Sequence, residues 1–213
     1  MKFTNESGKL KISDPCYEDD SCGVIVKAKK GEWVARTEPM DNRVGALICC
    51  HKDYKDHPCN DELWESIGEL GVDSGQMGVF DNKYFNDDST VNLVPKHTAD
   101  WTAGDHTNWY RQCCELTLEE QAGALKYGVV SSSGYGDGSY NCKVIRQGKE
   151  VVAIMVGFGL EEEDRVRCDV CQELFDKCEL SGGICDSCHS DIYEEEQLEE
   201  ARQDEERQKE DRA

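Results

Sequence analysis

Two pairs of cysteines near the C-terminus could bind a metal ion. Cys168 and Cys171 form one CxxC motif, Cys185 and Cys188 form a second, and residues 172–184 separate the two. Two such pairs can place four thiolates around one tetrahedral Zn²⁺, and so short a segment cannot bury enough apolar surface to fold without an ion. The sequence therefore predicts a zinc ribbon over residues 168–189, with one structural zinc ion per chain.

Other ligands and other groups are also compatible with this cysteine cluster. Cys178 and His189 lie in the same segment and are spare metal ligands. His189 also completes a CxxCH sequence, as in c-type haem attachment, and four thiolates can hold an iron–sulfur cluster. We favour zinc because the cysteines form two paired knuckles. A set of four protein ligands leaves no position for water, which predicts a structural site rather than a catalytic one.

Two further segments carry polar groups that could bind a ligand. One is GVDSGQMGVFD at residues 71–81, and the other is the glycine-rich SSSGYGDGSY at residues 131–140. Their oxygen atoms and backbone N–H groups could hold a cation, a nucleotide or a phosphoester, although the same residues are common in ordinary turns. The candidate ligand-binding residues are Asp73, Ser74, Gln76, Asp81, Gly134, Gly136, Asp137, Gly138 and Tyr140.

Three other cysteines invite a functional interpretation. Cys16 follows Asp14-Pro15, but no base is evident beside it, and its acidic neighbours should raise the pKa of its thiol. Cys49 and Cys50 precede His51 and could contribute to a second metal site with His57 and Cys59. Neighbouring residues on a strand point in opposite directions, which argues against that site. We interpret all three cysteines as structural.

The elements that must position these residues are mostly strands. Residues 1–160 contain short apolar runs separated by glycine turns, which favours a mainly β (α+β) domain built as a compact antiparallel sheet, a sandwich or a partly open barrel. The run at 23–28 is expected to form a hairpin with the run at 33–37. One helix is predicted over 107–124, with Thr117-Leu118-Glu119-Glu120 matching a capping box.

Charge increases sharply after this domain. Residues 161–167 are predicted to be an acidic linker before the ribbon, and residues 190–213 an acidic tail that is helical or disordered. The 213-residue chain has a net charge of −21 and 13 cysteines. This charge argues against general nucleic-acid binding. With no signal peptide or long apolar run, the sequence predicts a cytoplasmic protein with reduced or metal-bound thiols.

Three motifs resemble a known family. The stretches SDPCY, GVDSGQMGVFD and SSSGYGDGSY resemble the bacterial and phage family called domain of unknown function 4241, and the resemblance covers roughly residues 8–158. It implies a small, mainly β cytosolic domain and gives no catalytic role to transfer. It also suggests a phage accessory protein acting in the host cytoplasm. The motif residues map to Asp73, Gly75, Asp81, Gly134, Gly136, Asp137, Gly138 and Tyr140.

Two hypotheses about function follow from these features. The first is a non-enzymatic, zinc-binding interaction module, encoded by a phage or a bacterium, that binds a host protein through its acidic surface. The second is a nucleotide- or phosphoester-binding protein or hydrolase that uses the loops of Asp73, Asp81 and Asp137. The first is favoured because the zinc site is closed and the sequence offers no nucleophile–base pair. The second requires these loops to meet in space.

Overall fold

The computed structural model divides the chain into two compact units, Met1–Gly159 and Leu160–Ala213. The first unit is described over residues 1–17, 23–54, 63–101 and 106–159. In the second unit the described residues are 165–171, 174–176, 180–181, 184–185, 187–188, 190 and 193. Within these ranges the longest helix has 13 residues, and none is long and apolar enough to cross a membrane.

The first unit contains two antiparallel sheets. The six-stranded sheet has the order β1-β4-β5-β11-β10-β6, and the five-stranded sheet has the order β3-β2-β7-β9-β8. The strands are β1 (Lys2–Asn5), β2 (Lys9–Ser13), β3 (Val24–Lys27), β4 (Gly31–Met40), β5 (Arg43–His51), β6 (Glu65–Val72), β7 (Gln76–Asp81), β8 (Ala122–Leu125), β9 (Gly128–Ser132), β10 (Gly138–Gln147) and β11 (Glu150–Gly157).

The main core comes from the facing sides of these two sheets. Leu10 and Ile12 of one sheet and Trp33, Leu47 and Ile154 of the other are fully buried in a single apolar cluster. The sheets approach each other at their margins, where Ala28 bridges to Val151 and the Thr4 N–H donates to the Lys126 carbonyl at 3.1 Å. They remain two antiparallel sheets rather than a closed barrel, which confirms the predicted mainly β class.

One predicted hairpin is wrong. The strand β3 pairs with β2, with Val26 opposite Leu10, whereas β4 pairs with β1 and β5 in the other sheet. Val26 of β3 and Trp33 of β4 are both buried in the same core. An apolar alternation shows that a strand faces the core, but it does not show from which side.

The helix α1 (Asn108–Glu120) packs on the outer face of the five-stranded sheet. Its N-cap is Thr107, the first residue of the predicted range, and its C-cap is Gln121, which has a left-handed backbone with φ 60°. The predicted range of 107–124 extends too far, because residues 122–124 belong to β8. The proposed capping box at Thr117 is wrong, because Thr117 lies in the last turn and its hydroxyl donates to the Cys113 carbonyl at 3.1 Å. A short 3₁₀ helix, Asp88–Thr90, precedes α1.

The described residues of the second unit include two short hairpins. The strand β12 (Arg165–Arg167) pairs with β13 (Leu174–Asp176), and β14 (Leu180–Ser181) pairs with β15 (Ile184–Cys185). Residues 165–167, which the sequence assigned to the linker, therefore belong to the first hairpin, because their backbone groups pair with β13. Of the predicted acidic tail, Ser190 and Tyr193 have helical backbone, and the rest lies outside the described residues.

Candidate functional site

The two hairpins of the second unit bring the four predicted cysteines together. Cys168 and Cys171 lie in the turn that follows β12, Cys185 is the last residue of β15, and Cys188 has helical backbone. Their Sγ atoms all lie within 4.8 Å of one another, and those of Cys171 and Cys185 are 4.0 Å apart. A zinc ion with Zn–S distances of about 2.3 Å requires tetrahedral S–S edges of about 3.8 Å. The cluster therefore fits a metal ion of this size.

Backbone N–H groups stabilise the thiolate form of Cys168. The Cys185 and Val170 N–H groups donate to Cys168 Sγ at 3.5 and 3.4 Å. The hydrogen bond from Cys185 is the largest influence that lowers the pKa of the Cys168 thiol, to about 6. Such N–H···S bonds favour the charged form of a ligand and orient it towards an ion.

The short distances between the four sulfur atoms make a cluster of four thiolates without a metal ion unfavourable. Hydrogen bonding to Cys185, burial, and the neighbouring sulfurs of Cys171 and Cys168 raise the pKa of Cys188 to about 12. Like charges this close cannot all ionise without a counter-charge. A divalent cation at the centre supplies that charge, so the geometry and the electrostatics both fit a metal site.

The arrangement also bears on the alternative ligands. Cys185 and Cys188 lie beside Cys168 and Cys171. Haem attachment through CxxCH would instead convert Cys185 and Cys188 into thioethers, which would leave neither as a thiolate ligand. Cys178 and His189 lie outside the described residues.

Among the residues that the structure describes, the four-cysteine cluster is the only group of three or more His, Cys, Asp or Glu side chains with metal-binding spacing. Cys49, Cys50 and His51 form no such group, and His57 and Cys59 are not described.

In the first unit the three sequence motifs converge at one end of the sheets. Asp14 of SDPCY accepts hydrogen bonds from the Asp73 and Ser74 N–H groups at 2.8 and 2.7 Å. Asp137 of the glycine-rich loop accepts from the Gly75 N–H at 3.1 Å, and the Ser133 N–H donates to the Gly75 carbonyl at 2.9 Å. We call this meeting of residues 14–17, 73–75 and 133–138 the loop cluster.

The carboxylates of the loop cluster hold the loops to one another. Asp14 is fully buried and also accepts from the Cys16 N–H at 2.8 Å and from the Ser74 hydroxyl. Asp73 accepts from the Tyr17 hydroxyl at 2.8 Å. Asp14 is not among the site residues predicted from the sequence, although its place before a proline at the end of a strand indicates a fixed turn.

Asp81 does not belong to this cluster. It ends β7, whereas Asp73 and Gly75 precede the start of that strand, so the length of β7 separates them. Asp81 is fully buried and accepts from the Glu6, Ser7 and Lys83 N–H groups at 2.6, 2.9 and 3.0 Å. The predicted cleft of Asp73, Asp81 and Asp137 is therefore wrong for Asp81.

The remaining candidate residues have structural partners. Gln76 faces α1 and donates to Cys114 Sγ at 3.3 Å, while its Oε1 atom has no hydrogen-bond partner among the residues that the structure describes. The Tyr140 hydroxyl donates to the Gly136 carbonyl at 2.9 Å. Gly134 has φ +67°, and a Cβ atom there would lie 2.6 Å from the Val44 carbonyl. Gly136 and Gly138 have φ +98° and +155° and complete the turn.

Cys16 faces a small cavity beside the loop cluster. The cavity encloses about 30 Å³, which is room for one water molecule, and is lined by Pro15, Cys16, Asn86, His106, Thr107 and Tyr110. The structure thus places a histidine near Cys16 that the sequence did not reveal. Burial and the hydrogen bond to Asp14 nevertheless raise the pKa of Cys16 to about 12, so its thiol stays protonated at neutral pH.

Comparison with known proteins gives no relative for this chain. No family model, no curated protein and no solved structure matches it. The resemblance to the domain of unknown function 4241 family therefore stays a prediction based on the three motifs.

Proposed function

We propose that this chain is a zinc-binding protein whose C-terminal unit folds around one structural Zn²⁺ ion held by Cys168, Cys171, Cys185 and Cys188. The proposal depends on the four Sγ atoms that lie within 4.8 Å of one another. Four protein ligands close a tetrahedral site and leave no position for water or substrate, so the ion supports folding rather than chemistry.

Metal analysis of the purified full-length chain tests this proposal. We expect one zinc per wild-type chain, none in the Cys168→Ser/Cys185→Ser double variant, and one in Cys178→Ser. Cys178 is the matched control, because it is a cysteine of the same segment that belongs to neither CxxC motif. Loss of zinc from Cys178→Ser, or its retention in the double variant, would mean that a different set of ligands holds the ion. Iron in place of zinc would contradict the proposal.

We further propose that the protein is a non-enzymatic module that binds a protein partner with a basic surface. In residues 160–213, Asp and Glu outnumber Lys and Arg by 20 to 7, so most of the net charge of −21 belongs to the zinc-binding unit and its tail. Charge of one sign steers an oppositely charged partner, and this attraction weakens as salt is added. The family resemblance suggests a host protein in the cytoplasm as the partner, and a phage or bacterial accessory role.

Affinity capture at low and at high ionic strength tests this role. The full-length chain should retain a basic protein at low salt and release it at high salt, and the double cysteine variant should bind it less well. A Cys178→Ser bait serves as the control and should behave as the wild type. Retention that does not change with salt, or equal binding by the double variant, would contradict the role given to the acidic zinc-binding unit.

A second candidate function is supported by the convergence of the three motifs. Binding of a nucleotide or a phosphoester at the loop cluster would use Asp137, Ser74 and the backbone N–H groups of residues 133–138, without Asp81. Thermal shift assays with nucleoside phosphates test it. A stabilising ligand should lose its effect in Asp137→Asn and keep it in Asp41→Asn, a control on the β4–β5 turn. No stabilisation by any nucleoside phosphate would contradict this candidate.

A further inference from the structure

We propose that Cys171 is the site at which peroxides oxidise the four-cysteine cluster, and that a disulfide between Cys171 and Cys185 then releases the metal ion. This inference rests on the proposed zinc site. It adds a modification site with a defined co-reactant, a hydroperoxide, and a defined product.

The four cysteines differ in their access to solvent. Cys168, Cys185 and Cys188 are 0%, 3% and 7% exposed, whereas Cys171 is exposed. Oxidation of a cysteine depends on its thiolate character and on its exposure. A metal ion would keep all four sulfurs in the thiolate form, so exposure decides which of them a dissolved peroxide reaches first. That sulfur is Cys171.

The second step needs a neighbouring sulfur, and the structure supplies one. The Sγ atom of Cys185 lies 4.0 Å from that of Cys171 and belongs to the other CxxC motif. Cys168 is less suited to this step, because its Sγ atom accepts N–H groups from Val170 and Cys185 and is held in place by them. Cys188 also lies within 4.8 Å of Cys171, so the choice of Cys185 as the resolving residue is part of the proposal and is tested by the disulfide map.

The chemistry balances with one molecule of hydrogen peroxide and two protons from water. The Cys171 thiolate attacks one peroxide oxygen, the O–O bond breaks, and the departing hydroxide takes a proton to become water, which leaves a sulfenic acid on Cys171. The Cys185 thiolate then attacks the sulfur of the sulfenic acid, the S–S bond forms, the S–O bond breaks, and a second protonated hydroxide leaves as water. Two thiolates lose two electrons in total, and the peroxide gains them.

Formation of this disulfide removes one ligand from each CxxC motif. Only Cys168 and Cys188 remain as thiolates, and two ligands do not complete a tetrahedral site. Because binding of the ion is expected to supply the folding free energy of so short a segment, its loss would also unfold the second unit. A thiol reductant would restore the four thiolates and allow zinc to bind again.

The test uses the zinc-loaded full-length chain and hydrogen peroxide. Released zinc is followed with a chromogenic chelator, and disulfides are mapped by peptide mass spectrometry after the free thiols are alkylated. We expect one zinc released for each Cys171–Cys185 disulfide, and full reversal by dithiothreitol. Zinc release with Cys171 still reduced, or disulfides joining other pairs, would overturn the inference.

Two variants separate this inference from the zinc site itself. Cys171→His keeps four ligands, since imidazole binds zinc, but it cannot form the disulfide, so it should retain zinc under conditions that empty the wild type. Cys178→Ser should release zinc at the wild-type rate, and a slower rate would contradict the role of Cys171. A chain isolated without metal would contradict the proposed function, and its disulfide map would still test the Cys171–Cys185 pair.

Discussion

Three buried carboxylates in the first unit hold loops by accepting backbone N–H groups. Asp14 binds the turn at residues 73–74, Asp81 binds residues 6–7, and Glu115 binds residues 96–98. Hydrogen bonds to an ionised acceptor are stronger than neutral ones, and they satisfy N–H groups that a loop would otherwise leave unpaired. These acidic residues therefore stabilise the fold, and the two aspartates are not free to bind a ligand.

Removing the charge at Glu115 tests this role. Its carboxylate accepts from the Lys96, His97 and Thr98 N–H groups and from the Thr98 hydroxyl, at 2.7–3.1 Å. We expect Glu115→Gln to lower the free energy of unfolding by about 1–3 kcal/mol, because an amide presents its own N–H groups to these donors. Urea denaturation measures the change. The exposed Glu120→Gln is the control and should lie within about 0.5 kcal/mol of the wild type.

The same residue gives a pH dependence with a defined sign. Burial disfavours the charged carboxylate, but the hydrogen bonds from Thr98 and from the His97, Thr98 and Lys96 N–H groups outweigh it and lower the pKa of Glu115 from 4.5 to about 2. Its contribution is therefore complete above pH 4.5 and is lost as the pH falls towards 2. The stability difference between wild type and Glu115→Gln should shrink over that window. A difference that stays constant would contradict the lowered pKa.

At the scale of elements, β7 is the central strand of the five-stranded sheet. All six of its residues, Gln76–Asp81, are buried, because the six-stranded sheet covers one face of the strand and α1 the other. The alternation of its side chains sends Met77 and Val79 to the core between the sheets and Phe80 to the cluster under α1. The loop cluster lies at the beginning of this strand, and Asp81 lies at its end.

A glycine of this strand makes room for an aromatic ring. A Cβ atom at Gly78 would lie 2.1 Å from the ring of Phe80 and 2.6 Å from the Val129 carbonyl. We expect Gly78→Ala to destabilise the first unit by about 1–3 kcal/mol, because the ring must leave its place against Trp109. Thermal or urea denaturation measures this. Gly157→Ala in β11, where a Cβ atom meets nothing within 4 Å, is the control and should have little effect.

The sequence predicted most strands and the meeting of the four cysteines, but not how the strands are combined. The strands β2–β7 and β9–β11 coincide with short apolar runs of the sequence, because alternation and glycine turns are local signals. Two features depend on which element covers each face of a strand, and the sequence does not show this. One is the pairing partner of β3. The other is the burial of Lys11, whose ammonium lies 4.0 Å from the Phe85 ring centroid. The four cysteines were predictable because their spacing alone implies one ion, whereas Asp14 gains its role only from the distant turn that it binds.

At the scale of the whole molecule, the two units should respond differently to removal of the metal. The first unit has an extended apolar core between its sheets, whereas the apolar cluster described in the second consists of three cysteines and Ile184. We expect a chelator to unfold only the second unit. Limited proteolysis should then cut after residue 159 and leave a stable fragment of the first unit. Equal resistance of both units with and without chelator would contradict a metal-dependent second unit.

Native mass spectrometry of the full-length chain tests the central claim most directly. The account predicts a mass of 24.0 kDa plus one zinc ion for each chain, and loss of that ion after treatment with a strong chelator. A metal-free mass at neutral pH under reducing conditions, or a mass increase that corresponds to iron, would contradict it.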